Sequence, residues 1–389
     1  MKFWEKFFQG SICLLATGAF LLLPMTVEAA AKPQVNWAPN VFCAGEVTPA
    51  SLVAVPGVSD EIAKTITERL EQLDSQGKLP FVLNKQGTGS LDAHELSDDS
   101  LSIQPFAVLD TSLDSKMTID GNTVYKSIVL SGLDVAVAIR DSETHQYRML
   151  GMIPLNTYTK LEGTTPFTLE QKAQAYSAIT QNMIREQLDF SKNKKLFQHL
   201  EERSVGPSDD LWQVSDVAVG SKKAQEIYGD QTDKLRRIVA SFFASNYQQA
   251  TGRTVLPSAL ETGYYSKDAK ANSRAFSLNS PLESATMVVP EAENKIVLDV
   301  CGVNSAVMDE DKSDVKRHVV YRAWLRGRPA NDQPGAATEK TVDRIGMEAE
   351  YKTGNVSVKN SLVNTYTLLY LDLSSDLGQV MGGKKPKKK

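Results

Sequence analysis

The stretch Leu52-Val53-Ala54-Val55-Pro56-Gly57, running on into Val58-Ser59-Asp60-Glu61-Ile62, decides the reading of the fold. A short apolar run closed by Pro-Gly has the composition of a buried strand that ends in a turn. A helix is expected at once. Ser59 and Asp60 are N-cap residue types, and Ile62, Ile66, Leu70 and Leu73 fall on one helical face. Gly77 stops that helix, and Pro80-Phe81-Val82-Leu83 reads as a second strand. The body therefore begins as strand, amphipathic helix, strand.

Outward from there, residues 86–100 are rich in Gly, Ser and Asp and read as a loop. Ile128–Leu130, Leu133–Ile139 and Tyr147–Tyr158 carry β-branched and apolar residues around the polar turn at 141–146, a hairpin pattern. Thr168 and Gln171 have capping-box spacing at the head of a helix whose apolar side is marked by Ala175, Ile179, Ile184 and Leu188. After Gly206-Pro207-Ser208 the order begins again. Val217-Ala218-Val219 is a strand, and Leu235, Ile238, Val239, Phe242 and Tyr247 mark a helix opened by Asp230 or Thr232. Thr254-Val255-Leu256-Pro257 follows as a strand, then further strands at Lys295–Gly302, Val315–Leu325 and Leu362–Leu373.

The fold class is thus α/β (α+β): two divergent units, each a strand, a helix, a strand and an antiparallel hairpin, placed after a signal peptide. The expected boundaries are a signal peptide at 1–31, an N-terminal arm at 32–50, domain 1 at 51–200, a linker at 201–213, domain 2 at 214–375 and a basic, disordered tail at 376–389. The central-strand equivalence expected of a duplication is Val53–Val55 with Val217–Val219. Each helix should then aim one apolar face at one sheet.

Val53-Ala54-Val55-Pro56-Gly57, the helix from Ile62 to Leu73, Phe81-Val82-Leu83-Asn84 and Val135-Ala136-Val137-Ala138-Ile139-Arg140-Asp141-Ser142-Glu143-Thr144 together resemble a periplasmic α/β superfamily. It comprises the curli-assembly lipoproteins, the penicillin-binding-protein activator lipoproteins and the amino-terminal domain of TolB-like proteins. The resemblance spans Ser51–Asp189, and more loosely Val214–Leu325. It implies an envelope protein that binds partners or polymers through an α/β scaffold without chemistry of its own. Members usually carry a lipid-modified cysteine, which is missing here, and no pore-forming strands are identified.

The ends set the compartment. Lys2 and Lys6, the apolar stretch Ile12–Leu23, Pro24 and Ala29-Ala30-Ala31 form the three zones of a secretory signal. The apolar zone is shorter than the roughly 20 residues of a spanning helix, which disfavours the alternative of an uncleaved anchor. Export to the periplasm, cell envelope or exterior is expected. Cys43 and Cys301 then remain in a compartment where a disulfide can persist, and they are a candidate pair. Each is equally a common kind of buried residue.

Hydrophobic residues make up 41% and charged residues 23% of the chain, so it can bury a sizeable core. The net charge is -4, and removing the five lysines Lys384, Lys385, Lys387, Lys388 and Lys389 takes it from -4 to -9. An acidic body with a short basic tail lacks the clustered basic face of a nucleic-acid binder. The tail is a candidate contact for anionic surfaces, or a solvated terminus. No cofactor or metal set is recognised. Asp92, His94, Glu95, Asp98 and Asp99 read as a solvated acidic loop, and Gly87-Thr88-Gly89 lacks a phosphate-cradling continuation. No G-x-S-x-G elbow is present, and Glu348 and Glu350 alternate as on any solvent face. Tyr264 and Tyr265 are candidate surface contacts for a polymer, whereas Trp324, beside Val319, Val320 and Tyr321, is expected in the core.

Three functions remain. The first is a non-catalytic exported envelope protein, an assembly or regulatory factor or a module that binds an envelope protein or wall polymer. The second is an exported hydrolase whose site assembles only in three dimensions. The third is a structural surface protein held by its tail. Ligand and oligomeric state are not written in the sequence.

Overall fold

In the computed structural model, residues 32–384 are described apart from 38, 45–47, 49, 86–99, 120–121, 142–145, 194–199, 201, 204–210, 261–265, 268–273, 281–283, 311–315, 331–338 and 352–357. The expected signal peptide, the Asp92–Asp99 loop and most of the linker lie outside the described residues.

The opening strand is not Val53–Val55. Residues 51–55 make i to i+3 turns instead, with Ala54 N–H to Ser51 O and Val55 N–H to Leu52 O both at 3.3 Å. Pro56 has no N–H to give a ladder, and Gly57 sits at φ +86°, a left-handed conformation that glycine adopts without strain. Leu52 and Val53 drop into the core under helix α1 (Val58–Ser75). Gly57 is the N-cap, and neither Ser59 nor Asp60 takes that role.

Among the described residues the first strand is β1 (Gln34–Trp37), inside what reads as an arm, with alternate residues Val35 and Trp37 buried. It pairs in parallel with β3 (Val82–Lys85) and β4 (Leu101–Ile119), so β1-α1-β3 is a parallel crossover. The antiparallel strands β5 (Asn122–Arg140) and β6 (Tyr147–Gly163) complete the meander that begins with β4. Helix α2 (Leu169–Gln187) follows, and its Thr168–Gln171 capping box forms as expected. Of its expected side Ile184 and Leu188 are buried and Ala175 and Ile179 half-buried, and Ala173, Tyr176, Thr180 and Met183 complete the buried face. Thr168→Ala should cost about 1 kcal/mol in a urea titration, because the Gln171 amide loses its acceptor, Thr168 Oγ1. An unchanged midpoint would show the cap to be dispensable.

The second unit repeats this order. Strand β7 (Leu211–Val219) leads through helices α3 (Lys222–Tyr228) and α4 (Thr232–Thr251) to β8 (Thr254–Leu256), and β7 and β8 are parallel. Strands β12 (Asn294–Glu310), β13 (Lys316–Pro329) and β14 (Lys340–Tyr351) form a meander whose β12 runs parallel to β7. The last element, Leu362–Leu373 in the sequence reading, is not a strand but belongs to helix α5 (Val358–Met381). The strand orders β14-β13-β12-β7-β8 and β6-β5-β4-β1-β3 are one topology written twice. The equivalence runs through β1 and β7, not through Val53–Val55.

The second helical layer is apolar on two sides. Leu235, Val239, Phe243 and Tyr247 of α4 pack on the second sheet, whereas Ile238 and Phe242 reach Leu109, Leu113, Ile128 and Leu130 of the first. The expected single face is thus divided between two sheets, the pattern of a helix buried all round. The layers stack as α1/α2, first sheet, α4/α5, second sheet. Gly378 sets the α4–α5 approach, since a Cβ there would lie 2.8 Å from Phe243 O and 2.9 Å from Tyr247 N.

One end of the first sheet closes on itself. β2 (Phe42–Ala44) pairs with β4, and through β10 (Arg274–Asn279) and β11 (Ser284–Val289) it links to the far edge at β6, while the two-residue β9 (Ser266–Lys267) adds to β10. The ring β2-β4-β5-β6-β11-β10 is a small barrel filled by Phe42, Phe106, Met149, Phe276, Leu278 and Met287. Register shifts at Ala107/Leu109 and Val137/Ala138 let the long strands bend from barrel into sheet. Because β10 and β11 belong to the first sheet, the 201–213 segment does not divide the chain into independent bodies, and Lys32–Lys389 forms one compact unit. The tail expected at 376–389 is also partly built, because α5 continues to Met381 and Lys384 donates to Gln249 O at 3.0 Å.

Candidate functional site

In the first sheet both faces are covered, by α1/α2 and by α4/α5. In the second sheet the alternation of β13 sends Val319, Tyr321, Ala323 and Leu325 towards the helices and Arg322, Trp324, Arg326 and Arg328 the other way. At its β7/β8 end this second face packs on the barrel through Leu211 and Leu256, but among the described residues no helix covers it at β13 and β14.

Its centre is an ion network. Asp299 on β12 accepts from Nε of both Arg326 and Arg328 at 3.0 Å, and its side chain is only 12% exposed. Arg322 pairs with Asp343 on β14 and lies over the Trp324 ring at 5.0 Å. Gly302, opposite Trp324, leaves room for the ring, since a Cβ there would already touch it at 3.4 Å. The three guanidinium groups remain 40–47% exposed, and Ile345 on β14 is 59% exposed. The Asp299 charge raises the Arg326 pKa, which keeps the guanidinium ionised. Exposed pairs of this kind add about 0–1 kcal/mol each to stability, so their arrangement matters more for recognition than for folding. Trp and Arg are the side chains that most often anchor interfaces, through flat apolar area and bidentate hydrogen bonding.

Trp324 is therefore half-buried on this open face and not in the core. An apolar strand pattern identifies two faces without saying which one a helix covers. Cys301 lies exposed on β12, while Cys43 is buried on β2 under α1. They stand in different sheets and are both free thiols, so the candidate disulfide is not formed. Burial pushes the Cys43 thiol up to about 12, helped by the charge of Asp110. Burial also raises Cys301, against the pull of Arg326 and with help from Asp299 and Glu339. Neither thiol is activated as a nucleophile.

Tyr264, Tyr265, Lys385, Lys387, Lys388 and Lys389 lie outside the described residues. Lys384 borders a cleft of 290 Å³ with Glu186, Asp189 and Lys192. Its Asp189–Lys192 pair, at 3.6 Å, is an ordinary i,i+3 ion pair. Among the described residues no His, Cys, Asp and Glu group is spaced to hold a metal ion, and no helix is long and apolar enough to cross a membrane.

Two buried carboxyls escaped the sequence reading. Asp110 on β4 is raised to about 7 by burial, against donors from Ser51 and the Val53 amide, and its Oδ2 has no hydrogen-bond partner. Asp134 on β5, opposite Phe106 and Pro154, is raised to about 8 by burial. Their strands lack the strict alternation that would have marked an inward-facing acid.

No protein-family model matches the chain, and no curated protein matches it. Among solved structures it is similar to a neuraminyllactose-binding hemagglutinin homolog from Helicobacter pylori, at 13% identity over 45% of this chain and 92% of that one. The TM-score is 0.26, a likeness too slight to carry an argument about fold or function.

Proposed function

We propose that this chain is a non-catalytic exported protein of the cell envelope that binds a protein or wall polymer through the open face of its second sheet. The observation that carries the reading is the cluster of Trp324, Arg322, Arg326 and Arg328 on a face that the equivalent sheet keeps covered. A Trp ring with the Arg322 guanidinium over it, beside two more half-exposed guanidinium groups, offers stacking area and hydrogen-bond donors together. That combination suits a hydroxylated or acidic partner. Export rests on the three-zone N-terminal segment, and the envelope setting also follows from the superfamily resemblance.

The test is capture from envelope extract with the Lys32–Lys389 unit as bait. A partner should be retained by the unaltered chain and lost on Trp324→Ala combined with Arg326→Ala, with the fold checked by circular dichroism. Equal recovery by both baits would remove the open face from the account. Recovery of nothing above control by either would remove the binding function.

A further inference from the structure

Within one chain, the helical layer of the second unit lies on the sheet face of the first, through Ile238, Phe242 and Leu371 against Leu109, Leu113, Ile128 and Leu130. Polar contacts reinforce it: Asn156 Nδ2 to Ser241 O at 3.0 Å and Asn364 Nδ2 to Ser115 Oγ at 2.6 Å. This is a head-to-tail contact between two copies of one topology. Among the described residues, two surfaces are left over at the ends of the stack. One is the open face of the second sheet, and the other is the outer side of α1/α2, the topological counterpart of the helical layer that covers the first sheet.

From this arrangement we infer that the open face of the second sheet receives the α1 side of a second copy of the chain, extending the internal stack between molecules. The inference rests on the reading of that face as the binding surface and names its occupant.

Charge supports the match. Helix α1 exposes Asp60, Glu61, Glu68, Glu71 and Asp74 against Lys64. On the opposing face Arg322, Arg326 and Arg328 are balanced by Asp299, Asp343 and Glu339, but all three guanidinium groups reach solvent while Asp299 is largely covered, so the donors of the arginines are available to acidic groups of α1. Trp324 and Ile345 supply the apolar contact that an ion lattice alone lacks. The face is more polar than the Leu109–Leu130 surface inside the chain, so the intermolecular contact is weaker than the internal one and sensitive to salt. Because the two surfaces differ, the contact is heterologous and does not close at a dimer.

Sedimentation velocity of the Lys32–Lys389 unit over a range of concentrations, in about 50 mM and about 0.5 M salt, tests this. The average mass should rise with concentration at low salt and fall back to monomer at high salt. Arg322→Glu with Arg326→Glu, and separately Glu68→Lys with Glu71→Lys, should each weaken association at least about tenfold. An equimolar mixture of the two altered chains should restore it, because each then meets a surface of opposite sign. The two pairs lie in different elements, so a folding defect in one leaves the other informative. A chain that stays monomeric at low salt, or a mixture that fails to reassociate while both chains are folded, overturns the inference. If the chain is monomeric yet still captures an envelope partner through Trp324, the stacking falls and the binding reading stands.

Discussion

Gly378→Leu should destabilise the protein by on the order of 3 kcal/mol or more, the largest effect expected of one added side chain. Any Cβ at this position meets backbone, Phe243 O at 2.8 Å and Tyr247 N at 2.9 Å, and a helical backbone cannot rotate aside as a side chain can. The sign of Gly378→Ala is equally informative. In an open helix interior that change stabilises by about 1 kcal/mol through propensity. Here the α4–α5 contact should reverse it. The shift is not confined to one pair, because the same layer packs on both sheets and separating its helices disturbs both cores. Urea titrations followed by far-ultraviolet circular dichroism read the result. A stabilised Gly378→Ala chain would mean that the two helices are not held this close.

Raising the pH from about 5 to about 9 should lower the stability of the unaltered chain, and Asp134→Asn should remove much of that loss. Burial raises the Asp134 carboxyl to about 8, above the value near 3.9 of an unfolded aspartate. The native state therefore keeps a proton that the unfolded state has released. Between about pH 4 and pH 8 the native state binds more protons, so stability falls as pH rises. Asp110, raised to about 7, adds in the same direction over a slightly narrower window. An asparagine at 134 keeps the shape and has no charge to bury. The two chains should match near pH 4 and below, and the altered one should be the more stable by several kcal/mol near pH 9. Parallel stability curves over this range would show that Asp134 is solvated or paired in the native state.

What the sequence makes legible follows from where each element packs. Helices α1 and α2 cover one sheet from outside, so their apolar residues keep a helical period, and the Thr168–Gln171 cap is local chemistry. The β5–β6 hairpin and the parallel pair β7 and β8 declare themselves as apolar runs separated by turn residues. Helix α5 does not, because Val363, Tyr366 and Tyr370 face one sheet while Leu368 and Leu371 face the other, and a segment buried on two sides loses its period. Strand β4 is hidden by its polar residues, among them Gln104, Asp110 and Asp114, which find partners or burial only in the assembled sheet. Strands β10 and β11 are hidden because their neighbours β2 and β6 lie far away in sequence. The open face was only half legible. The residue types of β13 mark two sides, and only the position of α5 says which of them meets solvent.

The barrel closure also shapes how the chain reaches its native state. Cys43 sits in register with Asn279, and Tyr147 with Met287, so the ring cannot shut until a stretch near residue 289 is available to both. Contacts of such long sequence separation must overcome a large loop-closure entropy before they contribute, which makes folding slow relative to a chain of local contacts. Until then β6 and the short β2 present unpaired backbone edges, the kind of surface on which incomplete chains aggregate. In a polypeptide that emerges from its N-terminus, the first-made half thus waits for the last-made third. A nascent chain of this protein spends that interval as a client for whatever holds unfolded polypeptides apart.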